Sequence, residues 1–471
     1  MVSRFIRFTL VSLLAFAAIS GTRAVRAQTL PAQDGTPASS ATDKQAKTPD
    51  DGFTSEELIE DGLAGSDQQP SPRPRSVRDW CAITESAFHL RGRVDSDAIW
   101  AGQSPANTAT FGDLPDVVGL RRARIGVEGK LGTDSRYIAE IDLASGQVVL
   151  RDLFAGWGDL QGSGEFRVGH LREPFSLEGG TSANTFAFLE RSPINDLDPA
   201  RNWGLGYFRC TPAEDSTFAI GVFQSGTDSS DLQGGDGSDT AVTGRWTGLL
   251  RYEDEGERLL HVGLALSARL PDRGVVVINQ QPSSPLLDLG DSSASPFMPR
   301  IRIPADFQQL GNLQLALING SYWMQAEWYG SLIDQRGGDP IFFQGSHVDA
   351  GYFLTGEKRS YQKRNGVFGP VTVERPLLRC FSTPQSCKPL GYGALELTAR
   401  FSYLDYSDPH TPIGPQGQSV GILLPQATFG VNWYLADRLR VMFNYSYDQP
   451  NEPNTGASSA SVFAMRLGTF W

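Results

Sequence analysis

The sequence predicts an all-β protein, a transmembrane antiparallel up-and-down β-barrel of about sixteen strands. Three observations predict this fold. From residue 88 onward, apolar and polar residues alternate with a period of two, as in strands that have one apolar face. The connections between the alternating runs are short at one end and long at the other, and the chain ends on an aromatic residue, Trp471. A soluble β-sandwich also has alternating strands, but its connection lengths need not sort in this way.

The composition of the 471-residue chain excludes several other classes of protein. Its net charge is −12, with 40% hydrophobic and 20% charged residues, and its mean hydropathy is −0.26. Beyond the N-terminus, no apolar run reaches the roughly 18 residues of a membrane-spanning helix, which excludes a helical membrane protein. The acidic balance argues against a nucleic-acid partner. A barrel tolerates a hydrophilic average because its strands need only alternate.

The N-terminus has the features of a secretory signal peptide. Arg4 and Arg7 precede a short apolar stretch at residues 8–19, and small residues lead to a predicted cleavage point after Ala27. The apolar stretch is too short to span a membrane, so a membrane anchor or a buried helix is the weaker alternative. We therefore expect residues 1–27 to be removed on export.

Residues 28–79 are rich in Pro, Ser, Thr, Asp and Gln and poor in large apolar residues. A segment of this composition cannot bury enough apolar surface to offset its loss of conformational entropy. We expect a flexible periplasmic linker that could contact the cell envelope. The barrel domain is predicted to follow it, over residues 80–471.

The alternating runs define the predicted strands. In the clearest run, residues 122–131, Ile125 and Val127 lie on one face while Arg124 and Glu128 lie on the other. Each run has about the ten residues that a tilted membrane-spanning strand requires. The predicted strands begin near Phe88, Arg121, Arg136, Val149, Gly164, Asn202, Thr217, Thr243, Leu259, Asp306, Ser321, Ile341, Ala394, Gln426, Arg438 and Ser461.

The predicted connections differ in length at the two ends of the barrel. Such a difference is typical of barrels in the bacterial outer membrane, whose outer face contacts lipid. If the N-terminus is periplasmic, residues 356–392 fall at the short-turn end, so either a long excursion occurs there or the strand count is wrong by one. Short turns are predicted at residues 132–135, 210–215, 254–257, 319–320 and 435–437, and long loops at 101–120, 171–200, 224–242 and 270–304.

Six short motifs, taken in order, carry a family resemblance. They lie at residues 121–129 (RRARIGVEG), 169–178 (GHLREPFSLE), 188–192 (FLERS), 353–357, 393–400 and 430–435. With these motifs, most of the region from residue 86 to residue 471 resembles the phosphate-selective porins O and P. The resemblance implies a sixteen-stranded homotrimeric barrel in the bacterial outer membrane, with a passive pore for phosphate or polyphosphate lined by basic side chains. It also implies an inward-folded constriction loop near residues 172–192.

One departure from the family concerns lysine, which its pores also use. Only four lysines lie beyond residue 80 in this chain: Lys130, Lys358, Lys363 and Lys388. The resemblance therefore supports a preference for anions more firmly than a preference for phosphate.

The polar face of the predicted strands carries more basic than acidic residues, so the lumen is expected to be basic although the chain is acidic. Rings of charged side chains select ions, and Arg binds phosphate through two parallel hydrogen bonds. Glu128, Glu173 and Glu190 could neutralise part of this charge, which leaves a non-selective porin as an alternative. The predicted pore-lining and anion-binding residues are Arg91, Arg93, Arg122, Arg124, Lys130, Arg136, Arg167, Arg172, Arg191 and Arg400.

The four cysteines are disulfide candidates in an exported chain. Cys380 and Cys387 are close together in a Pro-rich segment, so a local disulfide is expected. Cys81 and Cys210 fall at the same, periplasmic end by strand parity and could form a second disulfide.

The sequence offers little support for catalysis. The five histidines have no metal-ligand spacing, residues 234–239 offer one copy of a calcium-binding repeat that needs tandem copies, and nucleophile-elbow and Walker motifs are missing. We expect neither a metal nor a cofactor. The predicted function is passive passage of small anions, with outer-membrane lipid and further copies of this chain as partners. The alternatives are a structural outer-membrane anchor with a plugged barrel and, less favoured, a barrel lipase.

Overall fold

The computed structural model describes residues 88–471 except Gln147, Gln161 and residues 225–239, 279–300, 379–389, 412–420 and 453–454. Within the described residues, sixteen antiparallel strands form one closed β-barrel, which confirms the predicted fold class. The first eight strands are β1 (Phe88–Gln103), β2 (Val117–Lys130), β3 (Ser135–Asp142), β4 (Val149–Asp159), β5 (Gly164–Arg172), β6 (Arg201–Cys210), β7 (Ser216–Phe223) and β8 (Ala241–Glu253). The other eight are β9 (Arg258–Arg269), β10 (Ile301–Asn319), β11 (Tyr322–Gln335), β12 (Ile341–Phe353), β13 (Ala394–Asp405), β14 (Leu423–Ala436), β15 (Leu439–Asp448) and β16 (Ala460–Phe470).

The barrel closes between its first and last strands. β1 pairs with β2 on one side and with β16 on the other, where Asp95 lies opposite Gly468. Beyond β16, the backbone N–H and C=O groups of Trp471 bond to those of Gly92, both at 3.0 Å. Closure thus pairs the two edges that an open sheet would leave exposed.

The strands place polar side chains in the lumen and apolar side chains outside. In β14, Gln426, Thr428 and Asn432 are buried, whereas Phe429 and Trp433 are exposed. This is the reverse of a soluble protein, and it suits a barrel whose outer face contacts lipid.

Several short helical turns and short strands connect the strands of the barrel. The helix α1 (Pro105–Phe111) follows β1, and its N-cap residue Ser104 accepts a hydrogen bond from the N–H of Asn107 at 3.2 Å. Among the described residues, no helix is long and apolar enough to cross a membrane. The remaining helical turns are Leu177–Gly180, Ala183–Thr185, Pro193–Leu197, Asp254–Gly256 and Asp272–Gly274, and the short strands outside the barrel wall are Val275–Ile278, Arg359–Gln362, Val367–Val371, Asn451–Glu452 and Gly456–Ala457.

The predicted strand number is correct, and most strands begin within two residues of their predicted start. β2, β10 and β14 begin a few residues earlier than predicted. The extra residues of β10 pair with the short strand Val275–Ile278, with Ile301 opposite Ile278. These residues belong to the strand because they have backbone partners in Val275–Ile278. The sequence prediction relied on alternation alone and therefore started the strand later.

The connection between β5 and β6, residues 173–200, folds into the barrel, and we call it the inward loop. Its residues Phe175, Leu177, Phe188 and Ile194 are buried in clusters with side chains from the barrel wall. Burial of such large apolar side chains contributes roughly 1.5–3 kcal/mol each. The structure therefore contains the inward-folded loop that the family resemblance implies.

A second connection, between β12 and β13, enters the lumen from the short-turn end. Its strands Arg359–Gln362 and Val367–Val371 pair as a hairpin, which we call the inner hairpin. Phe368 of the hairpin shares a buried cluster with Leu177 of the inward loop, between the walls formed by β9 to β14. The long excursion at this end is therefore real, and the alternative of a miscounted strand is wrong.

Several sequence predictions concern residues outside the described part of the chain. The signal peptide, the linker, the calcium-type segment at residues 234–239, and the three cysteines Cys81, Cys380 and Cys387 lie outside them. Cys210 ends β6 and is buried. Both disulfides therefore stay predictions.

Candidate functional site in the barrel lumen

A buried carboxylate on the barrel wall fixes the start of the inward loop. The two oxygens of Glu327 in β11 accept hydrogen bonds from the N–H groups of Leu177 (2.7 Å) and Glu178 (2.9 Å). Ser176 caps the same helical turn by accepting a hydrogen bond from the N–H of Gly179 at 2.8 Å. The first N–H groups of a helical turn have no partners within the turn, so these oxygens stabilise it.

A buried ionic cluster surrounds this anchor. Arg400 of β13 binds Asp349 of β12 at 2.8 Å and also binds Glu178 of the inward loop. His347 of β12 lies 3.3 Å from the carboxylate of Glu327. Arg400, which the sequence predicts to line the pore, thus connects the inward loop to the wall of the barrel.

Three members of this cluster are close enough together to hold a metal ion. The ligand atoms of Glu178, His347 and Asp349 lie within 4.8 Å of one another. The guanidinium of Arg400 binds both carboxylates, so it already takes the position of a cation. The arrangement therefore acts as an anchor for the inward loop.

Replacing Glu327 with Gln should destabilise the barrel by about 3 kcal/mol, because removing one member of a buried ionic cluster leaves its partners uncompensated. The measurement is the temperature at which the detergent-solubilised protein loses its compact electrophoretic form. Glu253→Gln is the control, since Glu253 pairs with Arg251 at 2.6 Å on the surface, with 47% of its side chain exposed, and exposed pairs of this kind contribute little to stability. Equal losses in the two variants would contradict the anchoring role.

Glu190 attaches the second half of the inward loop to the barrel wall. Its carboxylate binds Arg121 (2.9 Å) and Arg122 (2.8 Å) of β2 and Arg466 (2.7 Å) of β16. Burial alone would raise the pKa of Glu190, but attraction to these three guanidiniums holds it well below its ordinary value. Glu190 therefore stays ionised and ties the loop to β2 and β16.

Arg121 reaches the lumen because of a β-bulge. In the ladder between β1 and β2, Asp95 lies opposite Arg122 and Ser96 lies opposite Leu120, which leaves Arg121 as the extra residue. A bulge can turn a side chain away from the face that strict alternation gives it. Two adjacent arginines thereby reach the inward loop together.

The middle of the inward loop is held through its backbone oxygens. Asn432 of β14 donates a hydrogen bond to the C=O of Ala187 at 2.8 Å. Arg359 of the inner hairpin donates to the C=O of Thr185 at 2.9 Å. The inward loop is therefore attached to its surroundings near its start, near its middle and at Glu190.

A cavity of about 500 Å³ lies between the inward loop, the inner hairpin and the wall formed by β1 to β8. Among the described residues, twelve arginines line it against five Asp or Glu side chains. The arginines are Arg91, Arg93, Arg122, Arg124, Arg167, Arg172, Arg191, Arg201, Arg209, Arg245, Arg364 and Arg438, and the acidic residues are Glu128, Glu140, Asp152, Glu173 and Asp437. The basic residues therefore clearly outnumber the acidic ones around this space.

Carboxylates compensate part of this positive charge. Of the three acidic residues expected to do so, Glu128 binds Arg91 of the lining at 2.8 Å, whereas Glu173 binds Arg269, which is not among the lining residues, at 2.8 Å. Glu190, the third, holds the inward loop. Some of these carboxylates contact more than one guanidinium, as Glu190 does with Arg121, Arg122 and Arg466.

Two arginines of the cavity bind oxygen atoms that carry no formal charge. Arg191 donates to the C=O of Gly179 at 2.9 Å, and Arg245 donates to the side-chain oxygen of Gln314 at 2.8 Å and the C=O of Gly366 at 2.7 Å. Neither has a carboxylate within 4 Å in the described part of the chain. Burial lowers the pKa of Arg191 well below its ordinary value, with a further contribution from nearby positive charge. An anion in the cavity would stabilise these two charges.

The structure brings most of the predicted anion-binding residues to one place. Seven of the ten line the cavity, Lys130 and Arg136 lie opposite each other beside the turn between β2 and β3, and Arg400 lies in the ionic cluster. Five lining arginines are not among the predicted anion-binding residues. Strand alternation already places Arg245 on the lumen face, whereas the others lie near strand ends, in the inner hairpin or in a turn. The five are Arg201, Arg209, Arg245, Arg364 and Arg438.

Comparisons with known proteins agree with this architecture. The family model of the phosphate-selective porins O and P matches residues 88–468. An uncharacterized protein of Caulobacter vibrioides is 27% identical over 367 residues, covering 77% of this chain and 68% of its own length. Porin O of Pseudomonas aeruginosa is 23% identical over 415 residues, covering 81% of this chain and 88% of its own length.

Two solved structures align with most of this chain. The anion-selective porin from Comamonas acidovorans aligns with a TM-score of 0.49 and 11% identity over 82% of this chain and 100% of its own. OmpT of Vibrio cholerae aligns with a TM-score of 0.49 and 12% identity over 83% of this chain and 100% of its own. Since the family model matches the barrel from its first strand to its last, the chain belongs to the phosphate-selective porin O and P family and is an outer-membrane porin.

Proposed function

We propose that this porin is a passive, anion-selective channel whose anions bind in the arginine-lined cavity. The observation that carries the proposal is the lining of the cavity, which in the described part of the chain has twelve arginines and five acidic side chains. An excess of fixed positive charge in a poorly hydrated passage attracts anions and repels cations. The planar guanidinium also suits phosphate and carboxylate groups, which it binds through two parallel hydrogen bonds.

The residues proposed to bind anions fall into two groups. The wall arginines of β1, β2 and β5 share their charge with carboxylates, so they attract anions without holding them tightly. Arg191 and Arg245, whose partners are uncharged oxygens, give the strongest uncompensated charge. Lys130 and Arg136 lie near the short-turn end, where they would attract anions toward the entrance. Arg400 contributes indirectly, by holding the inward loop.

The cellular arrangement is part of the same proposal. Residues 1–27 would be removed on export, residues 28–79 would lie in the periplasm, and three copies of the chain would assemble in the outer membrane. The basic N-terminus with its short apolar stretch supports export, and the family resemblance supports the trimer. The disulfides Cys380–Cys387 and Cys81–Cys210 are proposed on sequence position alone.

A second candidate function is a structural anchor with a plugged barrel. The specific observation in its favour is that both the inward loop and the inner hairpin occupy the lumen, where their apolar side chains share one buried cluster. The cavity beside that cluster favours the channel.

Reversal potentials of the purified protein in planar bilayers, measured across a salt gradient, test both candidates. We expect steady open channels whose reversal potential has the sign of chloride over potassium preference, because the fixed charge of the cavity is positive. A preference for potassium would show that the acidic loops control permeation and would overturn the proposal. A protein that inserts but has no steady open state would support the plugged anchor instead.

A further inference from the structure

Apolar side chains occupy lumen-facing positions on one part of the cavity wall. Ile138 of β3, Phe154 of β4, Phe208 of β6 and Ala219 of β7 all line the cavity. In a porin, strand positions that face the lumen are usually polar. An apolar wall that faces a cavity together with a few charged groups is a common feature of sites for organic ligands.

Two of these rings alternate with guanidiniums in a row that we call the Arg–Phe stack, formed by Arg136, Phe154, Arg167 and Phe208. The guanidinium carbon of Arg167 lies 4.1 Å from the ring centre of Phe208 and 5.6 Å from that of Phe154, and the guanidinium carbon of Arg136 lies 5.7 Å from the ring centre of Phe154. These separations are within the range of cation–π attraction.

Glu165 of β5 fixes the two guanidiniums of the stack. Its carboxylate binds Arg136 at 2.6 Å and Arg167 at 2.8 Å. The same carboxylate thus orients both guanidiniums, and the lining of the cavity beside them is rich in arginine. Because the planar groups of the stack are held in place before a ligand arrives, little ordering cost remains for binding.

Phe208 is the member of the stack whose ring remains partly open. Phe154 is only 9% exposed, whereas Phe208 is half-buried and lines the cavity. Gly206, two residues earlier on β6, leaves room for the Phe208 ring, because a Cβ atom on residue 206 would lie only 2.7 Å from that ring. The ring therefore lies against the wall with Arg167 beside it.

We propose that the Arg–Phe stack is a binding site for small aromatic carboxylates of the benzoate class. This inference rests on the proposed anion channel and names a class of its permeant anions. The carboxylate would bind the positive charge at Arg167, and the aromatic ring of the ligand would contact the ring of Phe208, as aromatic pairs do. Inorganic phosphate or acetate would gain the interaction with Arg167 but not the contact with the ring of Phe208. The cavity volume, about 500 Å³, is within the range of sites that bind organic molecules.

Block of the chloride current by benzoate, acetate and inorganic phosphate tests the proposal. In the wild-type channel, we expect benzoate to block at a lower concentration than acetate. In Phe208→Leu, the half-blocking concentration of benzoate should rise by about two- to tenfold, the factor that loss of an aromatic pair predicts. The values for acetate and phosphate should stay within a factor of about two, because these anions do not use the ring.

Two further variants separate the ring from general effects of substitution. Phe208→Tyr keeps the aromatic face and should restore the wild-type value for benzoate. Phe166→Leu makes the same replacement on β5 at a ring that is 52% exposed on the outer face, and it should change no value. Calorimetric titration of the full chain in detergent with benzoate and acetate gives the same comparison without depending on an open state.

The outcomes distinguish this inference from the proposed function. If the channel prefers anions but benzoate and acetate bind equally, or if Phe208→Leu weakens both equally, the aromatic site is wrong and the anion channel stands. If the reversal potential shows cation preference, the proposed function fails first. In that case, unequal calorimetric binding of benzoate and acetate would still support the site, and equal binding would overturn it.

Discussion

Replacing both Arg191 and Arg245 with Gln should remove most of the anion preference of the channel. These two arginines line the cavity, and their partners are the C=O of Gly179, the C=O of Gly366 and the side-chain oxygen of Gln314. Within the described residues, neither guanidinium forms an ion pair with a carboxylate, so their loss changes the potential of the cavity directly. A unit charge about 8 Å from a passing anion contributes roughly 0.5–2 kcal/mol at effective dielectric constants between about 80 and 20.

The measurement is the reversal potential in a salt gradient, converted to a ratio of chloride to potassium permeability. From the energy above, each replacement should lower this ratio by about two- to thirtyfold. Gln keeps side-chain N–H groups for some of the carbonyl contacts, which limits disturbance of the inward loop. Arg251→Gln is the matched control, since Arg251 is half exposed and pairs with Glu253 outside the cavity. An unchanged ratio in the double variant would show that the paired wall arginines set selectivity instead.

Charge reversal at Arg122 and Arg124 is a weaker test than the sequence suggests. On sequence grounds both side chains simply face the lumen, so reversing them should reduce or invert anion preference. In the structure, Arg122 binds Glu190 of the inward loop and Arg124 binds Asp142 at 2.8 Å. Their reversal would therefore detach the loop as well as change the charge, and the two effects could not be separated.

Strand alternation was sufficient to predict the barrel because the lipid imposes it. A strand that separates lipid from a polar lumen must place apolar and polar residues on opposite faces, so period two runs along most of the length of the sixteen strands. The same rule predicts that Arg93 and Arg124 face the lumen. It fails at Arg121, because a bulge in the ladder between β1 and β2 inserts one extra residue and alters the parity there.

The contents of the lumen were harder to predict than its wall. The inner hairpin has strands of only four and five residues, too short for alternation to identify them. The inward loop was expected from family resemblance, but its anchors were not, because Glu327 and Leu177 are 150 residues apart. Partners so far apart in the sequence are brought together only by the closed barrel, and a single sequence does not show which residues will meet inside it.

The Glu190→Gln variant should release the part of the inward loop around residue 190 from the barrel wall. Glu190 binds Arg121, Arg122 and Arg466 at 2.7–2.9 Å, and an amide cannot balance these three guanidiniums, two of which are buried. Loss of a partner from such a buried network costs about 3–5 kcal/mol. Arg122 and Arg466 keep contacts with Asp95 or Asp97, so the wall itself should stay closed while the loop becomes mobile.

Single-channel recording measures this release. We expect Glu190→Gln to give a noisier current with frequent transitions between conductance levels, because the loop alternates between its wall-bound and released positions. Glu128→Gln is the control, since it removes the same charge from the cavity wall but contacts Arg91 of β1 instead of the inward loop. Arg121→Gln should give a smaller effect of the same kind, because Arg121 contributes one of the three pairs of Glu190. If Glu190→Gln and Glu128→Gln shift selectivity equally and leave the current steady, then Glu190 acts only through its charge, and the apolar contacts of Phe188 and Ile194 hold the loop in place.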